Sequence, residues 1–166
     1  MRVPRRLRLL LLAAHITASV GWLGTVTAFL VVAVTARLSD DDQAVRGAFI
    51  TMETLTWFAI VPLSVASLAT GIAQSLVTHW GLVRHYWVVF KLVINLVATI
   101  FLLLYTQTLD VLADEAAAGG DGYSQTLSPV LHGAAALGLL LTATTLAVYK
   151  PPGMTPYGLR RAGREG

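Results

Sequence analysis

Cysteine is absent from this sequence of 166 residues, and charged residues are scarce. Without cysteine the chain can form no disulfide, no thiolate metal site and no cysteine nucleophile. Charged residues make up 13% of the chain, whereas soluble domains contain roughly 25%. Hydrophobic residues make up 55%. This balance excludes an ordinary soluble domain and predicts an integral membrane protein.

Acidic residues are missing from the interior of every long apolar run. Proton-coupled carriers usually hold a carboxylate within the membrane, and here Glu53, at the edge of the second run, is the sole candidate. A small transporter is therefore the third choice of function. The sequence also lacks an HExxH motif, a glycine-rich phosphate loop and a serine triad, which excludes the enzyme classes built on them.

Four apolar runs cover residues 9–36, 55–77, 86–107 and 129–149. Each is long enough to cross a bilayer as a helix, which takes about 20 residues, and none has the alternation of a barrel wall. A helix satisfies its own backbone in lipid. The sequence therefore predicts an all-α, polytopic membrane protein. We expect a four-helix transmembrane bundle over residues 1–150, followed by a short basic tail, 151–166.

Four arginines precede the first run, as basic residues do in a secretory signal: Arg2, Arg5, Arg6 and Arg8. A signal has a shorter apolar core and a small-residue cleavage site. The run here continues to Ala36, and no clean cleavage site follows it. We therefore expect the first helix to remain part of the protein.

Basic and acidic residues alternate between the connecting segments. Basic residues concentrate at the N-terminus, between the second and third runs, and in the tail. The two remaining connections carry the acidic residues Asp40, Asp41, Asp42, Glu53, Asp110, Asp114, Glu115 and Asp121. The positive-inside rule then predicts an inner-membrane protein with both termini in the cytoplasm. The net charge is only +3, so we expect the lipid bilayer as a partner and no nucleic acid.

Small residues at helical spacing allow membrane helices to approach closely. They occur in three runs: Gly21, Gly24 and Ala28 in the first, Ser64, Ser67 and Gly71 in the second, and Ala134, Gly138 and Thr142 in the fourth. We expect these stripes to face the bundle interior. A small four-helix unit can leave one stripe exposed, so we also expect a homodimer.

Proline and glycine mark the breaks between helices. Pro62 predicts a kink in the second helix. Residues 108–128 form the longest connection, and their Gly/Ala run predicts a mobile loop. Ser128 followed by Pro129 predicts an N-cap and the first position of the fourth helix.

Two titratable residues, His15 and Lys91, lie within apolar runs. At 1.5 Å per residue they are about 9 Å and about 8 Å from the cytoplasmic ends of their helices, so they share a depth. A titratable group inside a membrane helix is costly and marks a functional site by default. Gln74 lies at a comparable depth, Asn95 follows Lys91 by one turn, and Trp22 shares a face with His15. We expect all five to line one cavity.

Such a cavity suits a tetrapyrrole. Neutral imidazole is a good axial ligand for haem iron, which makes His15 the candidate iron ligand. A lysine amine coordinates iron only when it is deprotonated, whereas an anionic tetrapyrrole without iron would need Lys91 protonated. The sequence leaves haem and porphyrin both open, with Arg84 or His85 as partners for the propionates.

The alternative is a non-catalytic structural or assembly partner in the membrane. His15 would then be a hydrogen-bonding residue between packed helices. Lys91 would extend its amine to the cytoplasmic interface. This alternative needs the packing stripes and no cofactor.

The other histidines lie nearer the ends of the runs. His132 is about one turn into the fourth helix from the outer side, where we expect a structural role. Its candidate neighbours are Glu53, Trp57, Thr106 and Gln107. His79 and His85 border the cytoplasmic loop, where we expect solvated interface residues.

Two short motifs accompany the polar pair: His15-x6-Trp22-x-Gly24 in the first run and Trp87-x3-Lys91-Leu92 in the third. Together they resemble the superfamily that groups the CopD membrane domain of copper resistance with HemJ, the four-helix protoporphyrinogen oxidase. The resemblance implies that His15 is the haem-associated histidine and Lys91 the family lysine. If the protein is an enzyme, it implies a HemJ-like membrane oxidoreductase. Copper handling is not expected, because Met1, Met52 and Met154 all lie outside the runs.

The end of the chain carries a second resemblance. Its pattern is Lys150-Pro151-x-Gly153-Met154-Thr155-x-Tyr157-Gly158. It is similar to the tails of a family of small bacterial four-helix integral membrane proteins within the same group. This likeness implies the fold and no particular activity.

Overall fold

Helices account for nearly all of the computed structural model, which describes residues 4–78, 81–120, 122–123 and 126–165. The helices are α1 (Arg5–Leu38), α2 (Asp42–Leu55), α3 (Val61–Val77), α4 (Tyr86–Ala118), α5 (Ser128–Tyr149) and α6 (Pro156–Glu165). A π-helical turn, Thr56–Ile60, joins α2 to α3. Within the described ranges there is no strand, and a single antiparallel bridge pairs His85 with Met154. The expected all-α fold is confirmed.

Four helices are long and apolar enough to cross a membrane: α1, the continuous helix Asp42–Val77, α4 and α5. They contain 34, 36, 33 and 22 residues. At 1.5 Å per residue the longest spans about 54 Å, well beyond the roughly 30 Å of a hydrocarbon core. Successive helices run in opposite directions. The start of α1 and the end of α5 therefore lie at one end of the bundle, which we call the proximal end, and the opposite end is the distal end.

Two helices extend further at the distal end than the apolar runs indicate. The second begins at Asp42 instead of 55, because Asp41 caps it by accepting hydrogen bonds from the backbone of Gln43 and Ala44. The third helix continues to Ala118, so residues 108–118, expected in a loop, are helical. Gly119 ends it in the left-handed region, with φ of 82°. Asp121 lies outside the described residues.

The extensions are amphipathic, which explains why apolar length alone missed them. The buried residues of α2 are Val45, Phe49 and Met52, at helical spacing. They pack against the distal part of α4, where Leu109, Ala113 and Ala116 are buried. Of the acidic residues in these turns, Asp42 and Asp114 are exposed, whereas Glu53, Asp110 and Glu115 are half-buried. Burial of one apolar stripe therefore stabilises these turns beyond the uniformly apolar segments.

Pro62 lies at the start of α3, and only Val61 separates it from the π-helical turn. Proline has no backbone N–H and cannot make the usual bond to the preceding turn. The turn before it is widened, and the Val61 N–H donates to the carbonyl of Thr56, five residues earlier. The irregularity expected at this proline is thus a local π-helical turn, a known device inside α-helices.

Of the three predicted small-residue stripes, the one in the second helix faces inward, the one in the first helix does so only at Gly21, and the one in the fourth helix is wrong. Ser64 and Ser67 are buried, and a Cβ at Gly21 would contact the Leu63 side chain at 3.3 Å. The rest of the α1 stripe, Gly24 and Ala28, is exposed, and no described residue of another helix lies within 4 Å of a Cβ at Gly24. On α5 the predicted stripe is exposed: Ala134, Gly138 and Thr142.

A different face of α5 points inward. Its buried residues are Pro129, Gly133, Leu140 and Ala143. A Cβ at Gly133 would lie 3.3 Å from the side chains of Phe29 and Leu30, so α5 and α1 are in close contact near the distal end. The main apolar core, which contains Phe29, Met52 and Leu109, occupies this same half of the bundle.

The tail folds back onto the proximal end. The backbone of Thr155 donates to the carbonyl of Arg84 at 3.0 Å, and the backbone of Tyr86 donates to Gly153 at 3.3 Å. The Thr155 hydroxyl adds a bond of 2.6 Å to the carbonyl of Val83. These bonds fix the start of α6 to the loop between α3 and α4.

Candidate functional site

A cavity of about 630 Å³ lies in the proximal half of the bundle. All four long helices contribute to its wall. The wall includes the five residues that the sequence singled out, His15, Trp22, Gln74, Lys91 and Asn95. Small-molecule sites usually have volumes of about 300–1,000 Å³ with mostly apolar walls and a few polar groups. The cavity has the dimensions and lining of such a site.

His15 and Lys91 meet directly within this cavity. The Lys91 Nζ lies 3.3 Å from Nε2 of His15, and Nδ1 of the same ring lies 3.1 Å from the Thr70 hydroxyl. The imidazole therefore links α1 to both α3 and α4. The lysine amine is held by the histidine, so it does not extend to the end of the bundle as the structural alternative expects.

The hydrogen bonds around Thr70 assign the histidine tautomer. The Thr70 hydroxyl donates to the carbonyl of Ala66 at 2.6 Å, so toward His15 it is an acceptor. Nδ1 of His15 must then carry the proton, which leaves the lone pair on Nε2. That lone pair accepts a hydrogen bond from Lys91. The unprotonated nitrogen of the ring thus faces the amine and the cavity.

Gly71 allows the imidazole to lie against α3. A Cβ at this position would be 3.0 Å from Cε1 and 3.5 Å from Nδ1 of His15. Any side chain larger than hydrogen would therefore press on the ring. Gly71 follows Thr70 directly, so one turn of α3 supplies both the hydrogen-bond acceptor and the space for the histidine.

Polar contacts continue from this pair toward the middle of the bundle. The Asn95 amide donates to the carbonyl of Lys91 at 2.8 Å and is buried. Ser19, one turn beyond His15, shares a hydrogen bond of 2.8 Å with Ser67 of α3. Trp22 closes the deep end of the cavity and is only 2% exposed. The polar groups thus lie along one side of an otherwise apolar chamber.

One buried polar atom on the cavity wall lacks a hydrogen-bond partner among the described residues. Oε1 of Gln74 is buried and accepts no hydrogen bond from the described part of the chain. An unsatisfied buried acceptor costs about 1–3 kcal/mol. A ligand with an N–H or O–H group in the cavity could remove this cost. Gln74 is therefore a candidate contact for a hydrogen-bond donor.

Thr70 and Lys150 are among the site residues that sequence reasoning missed. Thr70 was findable, since Ser67, Thr70, Gly71 and Gln74 recur at the spacing of one helix face. Lys150 also lines the cavity, but it follows the fourth apolar run, and nothing in the sequence indicated that the helix end returns to this chamber. It sits at the proximal mouth as the left-handed cap of α5, with φ of 44°.

The residues expected to meet propionates are placed elsewhere. Neither Arg84 nor His85 is among the described residues of the cavity wall. Both belong to the segment that holds the tail, where His85 pairs with Met154. Lys150 is the cation at the cavity mouth in their place. His79 lies outside the described residues.

His132 lies at the distal end and away from the cavity. Its ring stacks on Tyr105, with centroids 3.9 Å apart and an interplanar angle of 13°. Its Nδ1 lies 2.9 Å from the carbonyl of Ser128, which begins α5 without acting as the predicted N-cap. The Ser128 hydroxyl lies 3.3 Å from that of Tyr105. These contacts replace the acidic and amide neighbours expected for His132 and support a structural role.

Trp57 marks a second distal contact. Its indole N–H donates to the Asp110 carboxylate at 2.8 Å, which joins the π-helical turn to α4.

Among the described residues no group of three histidine, aspartate or glutamate side chains could hold a metal ion. The cavity around His15 and Lys91 is therefore the strongest candidate site.

No family model, no curated protein and no solved structure matches the chain.

Proposed function

We propose that this is a multi-pass protein of a bacterial inner membrane that binds a tetrapyrrole in the cavity around His15 and Lys91. The four long apolar helices support insertion. The basic segments at the proximal end support a cytoplasmic location for both termini. This placement puts the cavity in the cytoplasmic half of the membrane.

The contact between Lys91 and His15 carries the proposal. A lysine amine and an imidazole lone pair, 3.3 Å apart, face a chamber of about 630 Å³ with largely apolar walls. Titratable groups at membrane depth are kept mainly where they serve binding, proton transfer or transport. A flat ligand with an apolar body and carboxylate groups would complement both the apolar walls and the Lys91 cation.

The residues present fit the ligand with or without iron. For an iron-free porphyrin, the carboxylates would pair with Lys91 in the chamber and with Lys150 at the mouth. For haem, the Nε2 lone pair of His15 would bind iron in place of the Lys91 amine, as a neutral imidazole does in haem proteins. Bound haem would supply one-electron chemistry, and the chain's part would be to bind and orient the ring.

Titration with protoporphyrin IX tests the proposal. The wild-type protein in detergent should quench or shift porphyrin fluorescence at saturable concentrations. Hydrogen bonds to charged groups contribute about 1.5–3 kcal/mol, so Lys91→Met should raise the Kd about tenfold or more. His15→Ala removes the ring that positions the Lys91 amine and should also raise the Kd. His132→Ala is the matched control, because that histidine lies outside the cavity. Equal affinity in all four proteins, or none in the wild type, would refute the proposal.

Topology is tested separately with reporter fusions. A fluorescent protein fused after residue 166 should be fluorescent, and a periplasmic phosphatase reporter at the same position should be inactive. A phosphatase reporter inserted after Gly120 should be active. The reverse pattern would overturn the proposed orientation without affecting the cavity.

The second candidate function is that of a structural or assembly partner. The exposed small-residue stripe of α5, Ala134, Gly138 and Thr142, favours it, because such stripes allow close helix contact. The same stripe supports a homodimer. Crosslinking in native membranes should trap a dimer that Gly138→Leu abolishes, and a product that is monomeric throughout would count against it.

A further inference from the structure

The helices α1 and α5 are in close contact at the distal end but not along the cavity. Near the distal end Gly133 leaves so little space that a Cβ would touch Phe29 and Leu30 at 3.3 Å. Toward the proximal end both helices line the cavity. A chamber therefore separates them in the half of the bundle that holds His15.

Exposure shows where the wall of this chamber is open. The described lining residues of α3 and α4 are all buried or half-buried. Every exposed residue of the described lining belongs to α1 or to the end of α5: Leu12, Ile16, Val20, Thr144, Val148 and Lys150. A side chain that borders a cavity and is also exposed lies at its opening. The opening is therefore lateral, between α1 and α5.

Four of the six exposed residues at this opening are apolar. Ile16 is 52% exposed, Val20 63% and Val148 71%. In the proposed orientation these side chains face the acyl chains of the cytoplasmic leaflet. Apolar edges of this kind allow an apolar ligand to pass from the lipid into the cavity. The cation Lys150 lies at the proximal limit of the opening, nearer the lipid headgroups.

We propose that the ligand enters sideways from the cytoplasmic leaflet through the gap between α1 and α5. This inference rests on the proposed function and narrows it to an amphiphile dissolved in the bilayer. Such a ligand slides its apolar body past Ile16 and Val148 and carries its carboxylates toward Lys91 and Lys150. Entry through lipid leaves the wall formed by α3 and α4 undisturbed, so His15 can remain hydrogen-bonded to Thr70.

The opening can be tested without any tetrapyrrole, because the chain contains no cysteine. Ser19→Cys places one thiol on the cavity wall. In nanodiscs it should react with pyrene maleimide, which partitions into lipid, faster than with a membrane-impermeant sulfonated reagent. Adding Val20→Trp should slow the pyrene reaction about tenfold by narrowing the gap. Val31→Trp is the matched control on the same helix, since Val31 is 59% exposed and lies outside the cavity. Equal rates with Val20→Trp and Val31→Trp would overturn the lateral opening.

Uptake kinetics then test the route of the ligand. Protoporphyrin IX preloaded in vesicles should enter Val20→Trp and Val148→Trp about tenfold more slowly than the wild type, with dissociation slowed alike and Kd little changed. An unchanged uptake rate with normal affinity would refute lateral entry and leave the proposed function standing. Absence of binding in every protein, with the thiol result as expected, would refute the proposed function and leave the opening standing.

Discussion

The amine of Lys91 lies 3.3 Å from Nε2 of His15, although the two residues are 76 positions apart in the chain. The other ring nitrogen is fixed by Thr70, so the imidazole joins three helices in one hydrogen-bonded unit. Because Thr70 already donates to its own helix, the proton of the neutral ring belongs on Nδ1. This geometry is the basis of the predictions below.

Thr70→Val should release the histidine while keeping the shape of the side chain. Valine cannot accept the hydrogen bond from Nδ1, so the preferred tautomer is lost. Hydrogen bonds between membrane helices average about 0.6 kcal/mol, and we expect a loss of about that size in the free energy of unfolding. Nitrogen-15 NMR of labelled histidine checks the tautomer: the wild type should show a protonated Nδ1 and an unprotonated Nε2 at His15.

Thr142→Val is the control for this exchange. The Thr142 hydroxyl donates to the carbonyl of Gly138 within its own helix and is exposed. The Thr142→Val exchange should therefore leave the NMR signals of His15 unchanged. A wild-type spectrum with the proton on Nε2 would contradict the assigned hydrogen-bond pattern.

Gly71→Ala should displace the imidazole. Alanine favours a helix over glycine by about 1 kcal/mol, but overpacking in a filled region costs about 1–3 kcal/mol. Here the added methyl would lie 3.0 Å from Cε1 of His15. Thermal unfolding should therefore show a lower Tm than for Gly24→Ala, where the methyl has no neighbour within 4 Å. Porphyrin affinity should fall in the first variant only.

An equal Tm and equal affinity for the two glycine variants would show that His15 does not lie against α3. The comparison is direct because both exchanges add the same methyl group within a helix. The gain in helix propensity is then the same in both variants. The remaining difference in Tm reports the contact between the added methyl group and the imidazole ring.

Gly158→Val should detach the tail. A Cβ at this position would overlap the backbone carbonyl of Arg84, because α6 begins directly on the loop before α4. Gly163→Val is the control, since no described residue outside its own stretch of α6 lies within 4 Å of a Cβ there. In the first variant trypsin should cleave after Arg160 about tenfold faster, as expected when a segment opens locally. Equal cleavage rates in the two variants would mean that the tail is not held there.

The sequence predicted the helices that form the site, because a membrane helix can be recognised from the length of its apolar run. It also predicted that His15, Lys91 and Asn95 share a chamber, since equal depth and helical spacing suffice for that. It did not predict the ends of α2 and α4. Those turns are amphipathic and form because Phe49 and Met52 find partners in another helix, which a single run of residues cannot show.

The fourth helix shows the limit of packing motifs. Its stripe of Gly138 and neighbouring small residues was expected inside, but Leu140 and Ala143 face inward instead. All faces of this helix are apolar, so composition alone does not identify the inward one. Likewise, Lys150 lies on the cavity wall as the left-handed cap of α5, a position that the apolar runs do not predict.

The central claim, a tetrapyrrole site at His15 and Lys91, is tested most directly by the visible absorption spectrum of protein purified from haem-replete cells. We predict a Soret band that His15→Ala abolishes and Lys91→Ala weakens or shifts, with His132→Ala indistinguishable from the wild type. A colourless protein that also fails to bind added haem or protoporphyrin IX would contradict the account and leave the polar cluster as a contact that holds three helices together.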